Sequence, residues 1–236
     1  MMNMCFELVE LDGTVSLIDV CFKQACLFGW AGRNKEEVMA HAKELAEHGV
    51  RGPAHTPEHF IMTPNVMTQD EAITVVGNRT CGEIEYFFFV HDNEIYVGVG
   101  SEHTDRALEQ INIIKSKAIC QKPMSKQVWR YQDIKRHWDE IQLVSWQINE
   151  EGEEVPYQND TLKALLSLDD LMEEAGKLYD DLEGVIMWSG TISALNGLVY
   201  GSHFRCEMND KVLGRSMRLG YDIHIVPEEV DYSEME

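Results

Sequence analysis

The stretch that decides the fold runs from Cys81 to Glu102 and reads CGEIEYFFFVHDNEIYVGVGSE. Residues 84–90 and 94–100 are rich in aromatic and β-branched side chains, which favour strands. The polar residues 91–93 between them favour a turn, so the pattern predicts a β-hairpin. The continuous apolar run of the first strand also indicates that this strand enters the core.

Two acids at the start of the first strand form a candidate site. Glu83 and Glu85 are two residues apart, so in a strand their side chains project from the same face. Like charges this close repel each other, and the pair suits either a solvated edge or a cation. Taken alone, the pair favours the solvated edge, because most acidic side chains lie at the surface.

A third acid changes this interpretation. Glu102 follows the second strand, and a hairpin closed at residues 91–93 returns it to the end that carries Glu83 and Glu85. Carboxylates are hard oxygen ligands that suit Mg²⁺, or Mn²⁺ or Ca²⁺, rather than zinc. The sequence therefore predicts that these three acids hold one divalent cation, with a surface cluster of acids as the alternative.

The remaining patterns predict a β-rich α+β protein. Further strands are expected near 4–10, 15–20, 72–77, 141–149, 185–191, 203–209 and 217–226. Helices are expected over 35–47, 104–116, 133–139 and 168–180, and an extended, proline-containing connector over 50–66. Because strands outnumber helices and do not alternate with them regularly, α+β is favoured over a doubly wound sheet.

Composition limits the classes of partner. The chain of 236 residues has 41 acidic and 20 basic residues, for a net charge of -21. Such a charge disfavours nucleic acid and anionic membranes. There is no apolar run of about 18 residues and no signal-peptide pattern at the N-terminus. The six scattered cysteines form no C-x-x-C pair, which suits buried thiols in a reducing cytosol. We expect a cytoplasmic protein.

A histidine and an acid form a second candidate site. His41 and Glu44 lie three residues apart in the expected 35–47 helix and so share a face. A carboxylate beside an imidazole raises its basicity, which suits a general base that activates water. On residue pattern alone, an exposed pair without a role is favoured.

The order of these motifs resembles the fumarylacetoacetate hydrolase superfamily. Its D-x-E-x-E-L strand and N-D-V-S-A-R-D turn are similar to residues 81–85 and 101–106. Its V-N-G-E, Q-x-G-N-T and L-x-P-G-D-V-I-x-T-G-T-P segments are similar to 149–153, 157–161 and 182–191. The likeness covers about residues 28–222. Glu102 replaces an aspartate of the family and Ile192 replaces a proline, as in a divergent branch.

The resemblance implies a fold, a domain arrangement and roles for residues. The fold would be a mixed β-roll and sandwich with short flanking helices, forming a homodimer. Residues 1–66 would supply N-terminal strands, a lid-like helix and the connector, residues 67–226 the β-rich catalytic region, and residues 227–236 an acidic tail. The implied catalytic residues are His41, Glu44 and Lys117. The implied substrate-binding residues are Arg33, Arg106, Ser189, Gly190 and Thr191, although residues 189–191 also suit a plain strand-end turn.

The expected function follows from this set. It is a metal-dependent hydrolase or lyase acting on a small 2-oxo or 1,3-dicarbonyl carboxylic acid, with a metal-stabilised enolate and C–C bond cleavage. Decarboxylation or isomerisation would use the same enolate. The alternative is a non-catalytic protein that binds a small ligand and retains the fold.

Overall fold

Strands are the commonest regular elements of the structure. The computed structural model describes residues 1–47 and 51–229, with only the backbone of His41 and residues 44–47. The strands are β1 (Met2–Val9), β2 (Val15–Phe22), β3 (Gln24–Gly29), β4 (Glu58–Met62), β5 (Met67–Thr68), β6 (Ala72–Val76), β7 (Thr80–Cys81), β8 (Ile84–His91), β9 (Glu94–Ser101), β10 (Thr104–Asp105), β11 (Lys122–Pro123), β12 (Gln127–Arg130), β13 (Gln142–Asn149), β14 (Glu154–Thr161), β15 (Val185–Trp188), β16 (Gly201–Asp210) and β17 (Arg215–Val226).

The helices are few and short. They are α1 (Lys35–Glu47), α2 (Arg106–Glu109), α3 (Ile113–Ile119), α4 (Tyr131–Ile134) and α5 (Leu168–Gly176), with 3-10 helices at Pro64–Val66, Lys135–Glu140 and Leu162–Ala164. Within the described ranges, no helix has both the length and the apolarity that crossing a membrane requires.

Two mixed sheets organise the described residues. An eight-stranded sheet has the order β2-β1-β12-β9-β8-β15-β3-β4, and a five-stranded sheet has the order β14-β13-β16-β17-β6. Most neighbours are antiparallel, while β1–β12, β15–β3 and β17–β6 are parallel. This arrangement confirms a β-rich α+β fold.

The eight-stranded sheet is curled. Phe22 on β2 and Phe89 on β8 are four strands apart, which would separate them by about 19 Å in a flat sheet. Their ring centroids are only 5.3 Å apart. Phe6 on β1 packs against both, with its ring 6.2 Å from that of Phe22 and 5.1 Å from that of Phe89. The sheet therefore wraps around an apolar core of its own.

A second core lies between the outer face of this sheet, the five-stranded sheet and α5. Tyr86 and Phe88 of β8 point into it, whereas Phe87 and Phe89 point into the curl. This second core also contains Phe204 of β16. Because both faces of β8 are buried, its sequence is continuously apolar instead of alternating.

The structure confirms some expected elements and corrects others. The hairpin is β8 and β9, and α1 spans the expected residues 35–47. The single helix expected over 104–116 is wrong: β10, α2 and α3 replace it, because Asp105 and Asn112 each accept a hydrogen bond from a backbone N–H three residues later and begin separate helices. The expected connector contains β4, which pairs with β3.

Candidate metal centre and cavity

The hairpin register brings the acids together. Asp92 and Asn93 have φ of 51° and 62° and form a two-residue turn, so His91 pairs with Glu94. The same register places Glu83 opposite Glu102, and the N–H of Glu102 donates to the carbonyl of Glu83 at 2.9 Å. One carboxylate oxygen from each of Glu83, Glu85 and Glu102 lies within 4.8 Å of the others. The expected convergence is confirmed.

Two glycines of β9 make room for aromatic rings. A Cβ on Gly98 would lie 2.1 Å from the ring of Phe87, and one on Gly100 would lie 2.5 Å from the ring of Trp188. Both distances are impossible for real atoms, so these rings pack directly on the backbone of β9. Gly98 and Gly100 therefore serve packing inside the curl.

Glu102 is fully buried and is held by cations. Lys117 Nζ donates to Oε2, and Lys122 Nζ lies 3.0 Å from Oε1. Thr104 Oγ1 donates to the carboxylate, at 3.0 and 2.9 Å from its two oxygens. Burial alone would raise the pKa of Glu102, but the two ammonium groups outweigh burial and hold the pKa below its usual range.

Glu83 is paired with an arginine. The guanidinium of Arg106 lies 2.8 Å from Glu83 Oε1 and 2.9 Å from Glu109 Oε2. Its Nε also donates to Cys81 Sγ at 3.1 Å. Burial raises the pKa of Glu83 in spite of the nearby Arg106 and Lys117.

Glu85 has a hydrogen bond but no cation in contact within the described residues. Its Oε2 accepts from the N–H of Gly190 at 3.0 Å, and the side chain is almost fully buried. Burial raises the pKa of Glu85 well above its ordinary value, and Glu102 raises it further. Three clustered carboxylates, one of them uncompensated, are a donor set that fits a hard divalent cation such as Mg²⁺.

Glu83 and Glu85 of the cluster form part of the wall of a cavity of about 1160 Å³, and Glu102 is buried beside them. The sequence-predicted residues that line it are Arg33, Glu83, Glu85, Arg106, Lys117, Gly190 and Thr191. Helix α1 contributes Glu37 and Val38. The side chains of His41 and Glu44 lie outside the described residues, although their backbone is in the same helix.

Arg33 reaches the cavity with its guanidinium already engaged. Its two terminal nitrogens each lie 2.7 Å from an oxygen of Asp139, and its Nε donates to the carbonyl of Leu165 at 2.9 Å. A bidentate pair of this kind fixes the plane of the guanidinium. In this arrangement Arg33 is part of the cavity wall.

The 189–191 turn is also engaged within the protein. Ser189 Oγ accepts from the N–H of Tyr86 at 3.2 Å, and Gly190 N–H donates to Glu85. Thr191 Oγ1 donates to the carbonyl of Ile84 at 2.7 Å. All three residues thus contact the strand that carries the acids.

Two lysines at the site were not predicted from the sequence. Lys122 is fully buried and donates to the carbonyls of His103, Lys117 and Cys120 as well as pairing with Glu102. Lys163 lines the cavity, and its ammonium forms no ion pair with any described residue. The short strand β11 that buries Lys122 has no recognisable pattern of its own, and Lys163 resembles any exposed lysine.

The chain matches the model of one protein family, DUF2848, whose description is "protein of unknown function", over residues 28–221. No curated protein matches it by sequence.

Two of the solved structures with a similar fold are of the protein Cg1458 and of a dehydratase. Cg1458 has a TM-score of 0.64 and 13% identity, over 90% of this chain and 80% of that one. The other is 2-keto-3-deoxy-D-arabinonate dehydratase complexed with magnesium and 2,5-dioxopentanoate, with a TM-score of 0.59 and 17% identity, over 93% of this chain and 79% of that one. Both proteins are members of the fumarylacetoacetate hydrolase superfamily. The chain therefore belongs to the DUF2848 family, and its fold is that of the fumarylacetoacetate hydrolase superfamily.

Proposed function

We propose that this protein is a divalent-metal-dependent enzyme acting on a small 2-oxo or 1,3-dicarbonyl carboxylic acid. The observation that carries the proposal is the convergence of Glu83, Glu85 and Glu102 within 4.8 Å, with Glu83 and Glu85 in the wall of the cavity. The curl of one sheet and its packing on another support the mixed roll and sandwich that the family resemblance implies.

Those acids would hold the cation. A bound Mg²⁺ would polarise the substrate carbonyl and stabilise the negative charge of an enolate. With a cation bound and all carboxylates ionised, the three acids and Glu109 would carry four negative charges, against three positive charges on Lys117, Lys122 and Arg106. A divalent cation makes this group of charges net positive, which favours an anionic substrate.

Lys163 is a better candidate than Arg33 for the substrate's carboxylate. Arg33 is held by Asp139 and Leu165, whereas Lys163 lines the same cavity and forms no ion pair among the described residues. Arg106 and Lys117 also line the cavity, but each is bound to an acid of the cluster. We expect them to keep these acids in place and to add positive potential.

C–C bond hydrolysis is the outcome that we propose. His41 on α1, oriented by Glu44, would take a proton from water. Glu37 and Val38 of the same helix line the cavity. Dehydration is a second candidate, because a protein of similar fold is a 2-keto-3-deoxy-D-arabinonate dehydratase complexed with magnesium and 2,5-dioxopentanoate. Both reactions share an enolate, in which negative charge develops on the oxygen of the 2-oxo group. In dehydration it would form when a proton is removed from the neighbouring carbon, and in hydrolysis when the C–C bond breaks.

Two measurements test the shared step. Mg²⁺ and oxalate together should raise the melting temperature more than the sum of their separate effects, because oxalate would chelate the bound cation. A ligand at a hundredfold excess over its Kd adds about 2.7 kcal/mol to the free energy of unfolding. In D₂O with Mg²⁺, the protein should also exchange the methyl protons of pyruvate, seen by ¹H NMR as loss of the methyl signal. Synergy without exchange would indicate a non-catalytic binder. The absence of both synergy and exchange would refute the proposal.

A further inference from the structure

The amide of Gln158 on β14 is fully buried and makes every hydrogen bond available to it. Its Oε1 accepts from the N–H of Ile84 at 2.9 Å and from Ser145 Oγ at 3.0 Å. Its Nε2 donates to Thr191 Oγ1 at 2.8 Å and to the carbonyl of Ile192 at 2.7 Å. Two acceptor and two donor positions are the full capacity of an amide side chain.

These contacts fall on the residue between two of the acids. Strand β15 ends at Trp188, so it does not continue alongside Ile84. In its place, Gln158 Oε1 takes the N–H of Ile84, and Thr191 Oγ1 donates to the carbonyl of Ile84 at 2.7 Å. The amide and the hydroxyl, which also bond each other, thus substitute for a missing strand.

We propose that Gln158 is a positioning residue of the metal centre. With Thr191 it fixes the backbone of Ile84, and so the direction in which Glu83 and Glu85 project. The same contact holds the turn whose Gly190 N–H donates to Glu85. This inference rests on the proposed function insofar as it requires that the acids bind a cation.

The chain offers a matched control. Gln147 lies on the neighbouring strand β13 and is equally buried, but its amide atoms make no hydrogen bond within the described residues. Replacing either glutamine by methionine removes a buried amide of similar volume. Only the replacement of Gln158 also frees the peptide groups beside the acids.

The test is the Kd for Mn²⁺ of the folded full-length protein, measured by EPR of free Mn²⁺ well below the melting temperature. Loss of a group that orients metal ligands typically weakens affinity 10–100-fold. We expect a rise of about that size in the Kd of Gln158→Met and a change of less than about threefold for Gln147→Met. Melting temperatures of both variants show whether the two effects are separate.

Thr191 provides a second route if Gln158→Met does not fold. Thr191→Val removes only the hydroxyl and should raise the Kd for Mn²⁺, whereas Thr191→Ser, which keeps it, should restore most of the affinity. Where the double variant folds, the two effects should not add, because both residues act on Ile84.

The outcomes separate this inference from the proposed function. If the wild-type protein binds no Mn²⁺, the proposed function fails and this inference fails with it. If the wild type binds Mn²⁺ and the folded Gln158→Met and Thr191→Val variants keep the wild-type Kd, the positioning role alone is overturned.

Discussion

At the scale of single residues, the three acids of the centre are in unequal electrostatic states. Glu102 is compensated by two lysines and Glu83 by Arg106, while Glu85 receives one backbone N–H. Replacing Glu85 by glutamine keeps an acceptor for that N–H and removes the uncompensated charge.

We therefore expect Glu85→Gln to have opposite effects with and without metal. Without metal its melting temperature should rise, by about 2–4 °C for each kcal/mol gained. The stabilisation that Mg²⁺ gives the wild type should disappear. Glu94→Gln, an exposed acid at the far end of the hairpin, is the control for removing one charge. A metal-free Glu85→Gln that melts below the wild type would contradict this account.

Metal binding should release protons. Without a cation, the raised pKa of Glu85 lets the folded protein keep a proton that the unfolded chain has already lost. The free energy of unfolding should then fall as pH rises from the ordinary glutamate pKa through the raised one. A cation competes with that proton, so the stabilisation by Mg²⁺ should grow with pH. Calorimetry in two buffers of different ionisation enthalpy measures the release; equal apparent enthalpies would rule it out.

Lys122 should matter more for stability than its neighbours. Lys122→Met leaves Glu102 with one lysine and frees three buried carbonyls. Breaking a buried ion pair from one side costs about 3–5 kcal/mol. Lys115→Met, at an exposed position nearby, should cost less than about 0.5 kcal/mol. Urea denaturation of both variants provides the comparison, and equal midpoints would show that Lys122 is dispensable.

The acids could be predicted from sequence, whereas Gln158 and Lys122, which help to hold them, could not. A two-residue turn at Asp92 and Asn93 fixes which residues face each other, so local spacing is enough to bring Glu102 to Glu83. Gln158 and Lys122 reach the centre through strands that are distant in sequence. Their roles depend on tertiary pairing that no local pattern encodes.

At the scale of elements, β8 and β9 are matched by shape. Gly98→Ala would place a methyl group against the ring of Phe87, and overpacking of this kind costs about 1–3 kcal/mol. Gly176→Ala, where nothing lies within 4 Å of the added carbon, should be neutral or slightly stabilising. Thermal unfolding distinguishes them, and a Gly98→Ala as stable as the wild type would mean that the ring has room to move.

Each element that was not predicted from the sequence has a physical explanation. The hairpin and α1 carry strong local patterns and were predicted. β3 is a short apolar run without alternation, and β4 lies between Pro57 and Pro64, so both depend on their neighbours in the sheet. The helix expected over 104–116 was broken by Asn112, a capping signal visible in the sequence but outweighed there by its helix-forming neighbours.

At the scale of the whole molecule, a net charge of -21 repels itself. Sodium chloride should raise the melting temperature without metal, because the screening length falls from about 10 Å at 0.1 M salt towards 3 Å at 1 M. At constant ionic strength, Mg²⁺ should add a saturable increase in the wild type. Differential scanning fluorimetry separates the two effects; an Mg²⁺ effect that never saturates would indicate screening alone. The homodimer implied by the family resemblance stays a prediction.

The three acids lie within one continuous hairpin, between residues 83 and 102, and this has a consequence for how the protein is made. The acids can therefore be brought together early, and an ion can bind once β14 has supplied Gln158 but before the rest of the five-stranded sheet has formed, because the loop that must close is short. Magnesium would then speed refolding as well as slow unfolding, and a nascent chain could acquire its ion before its last strands, β16 and β17, are synthesised.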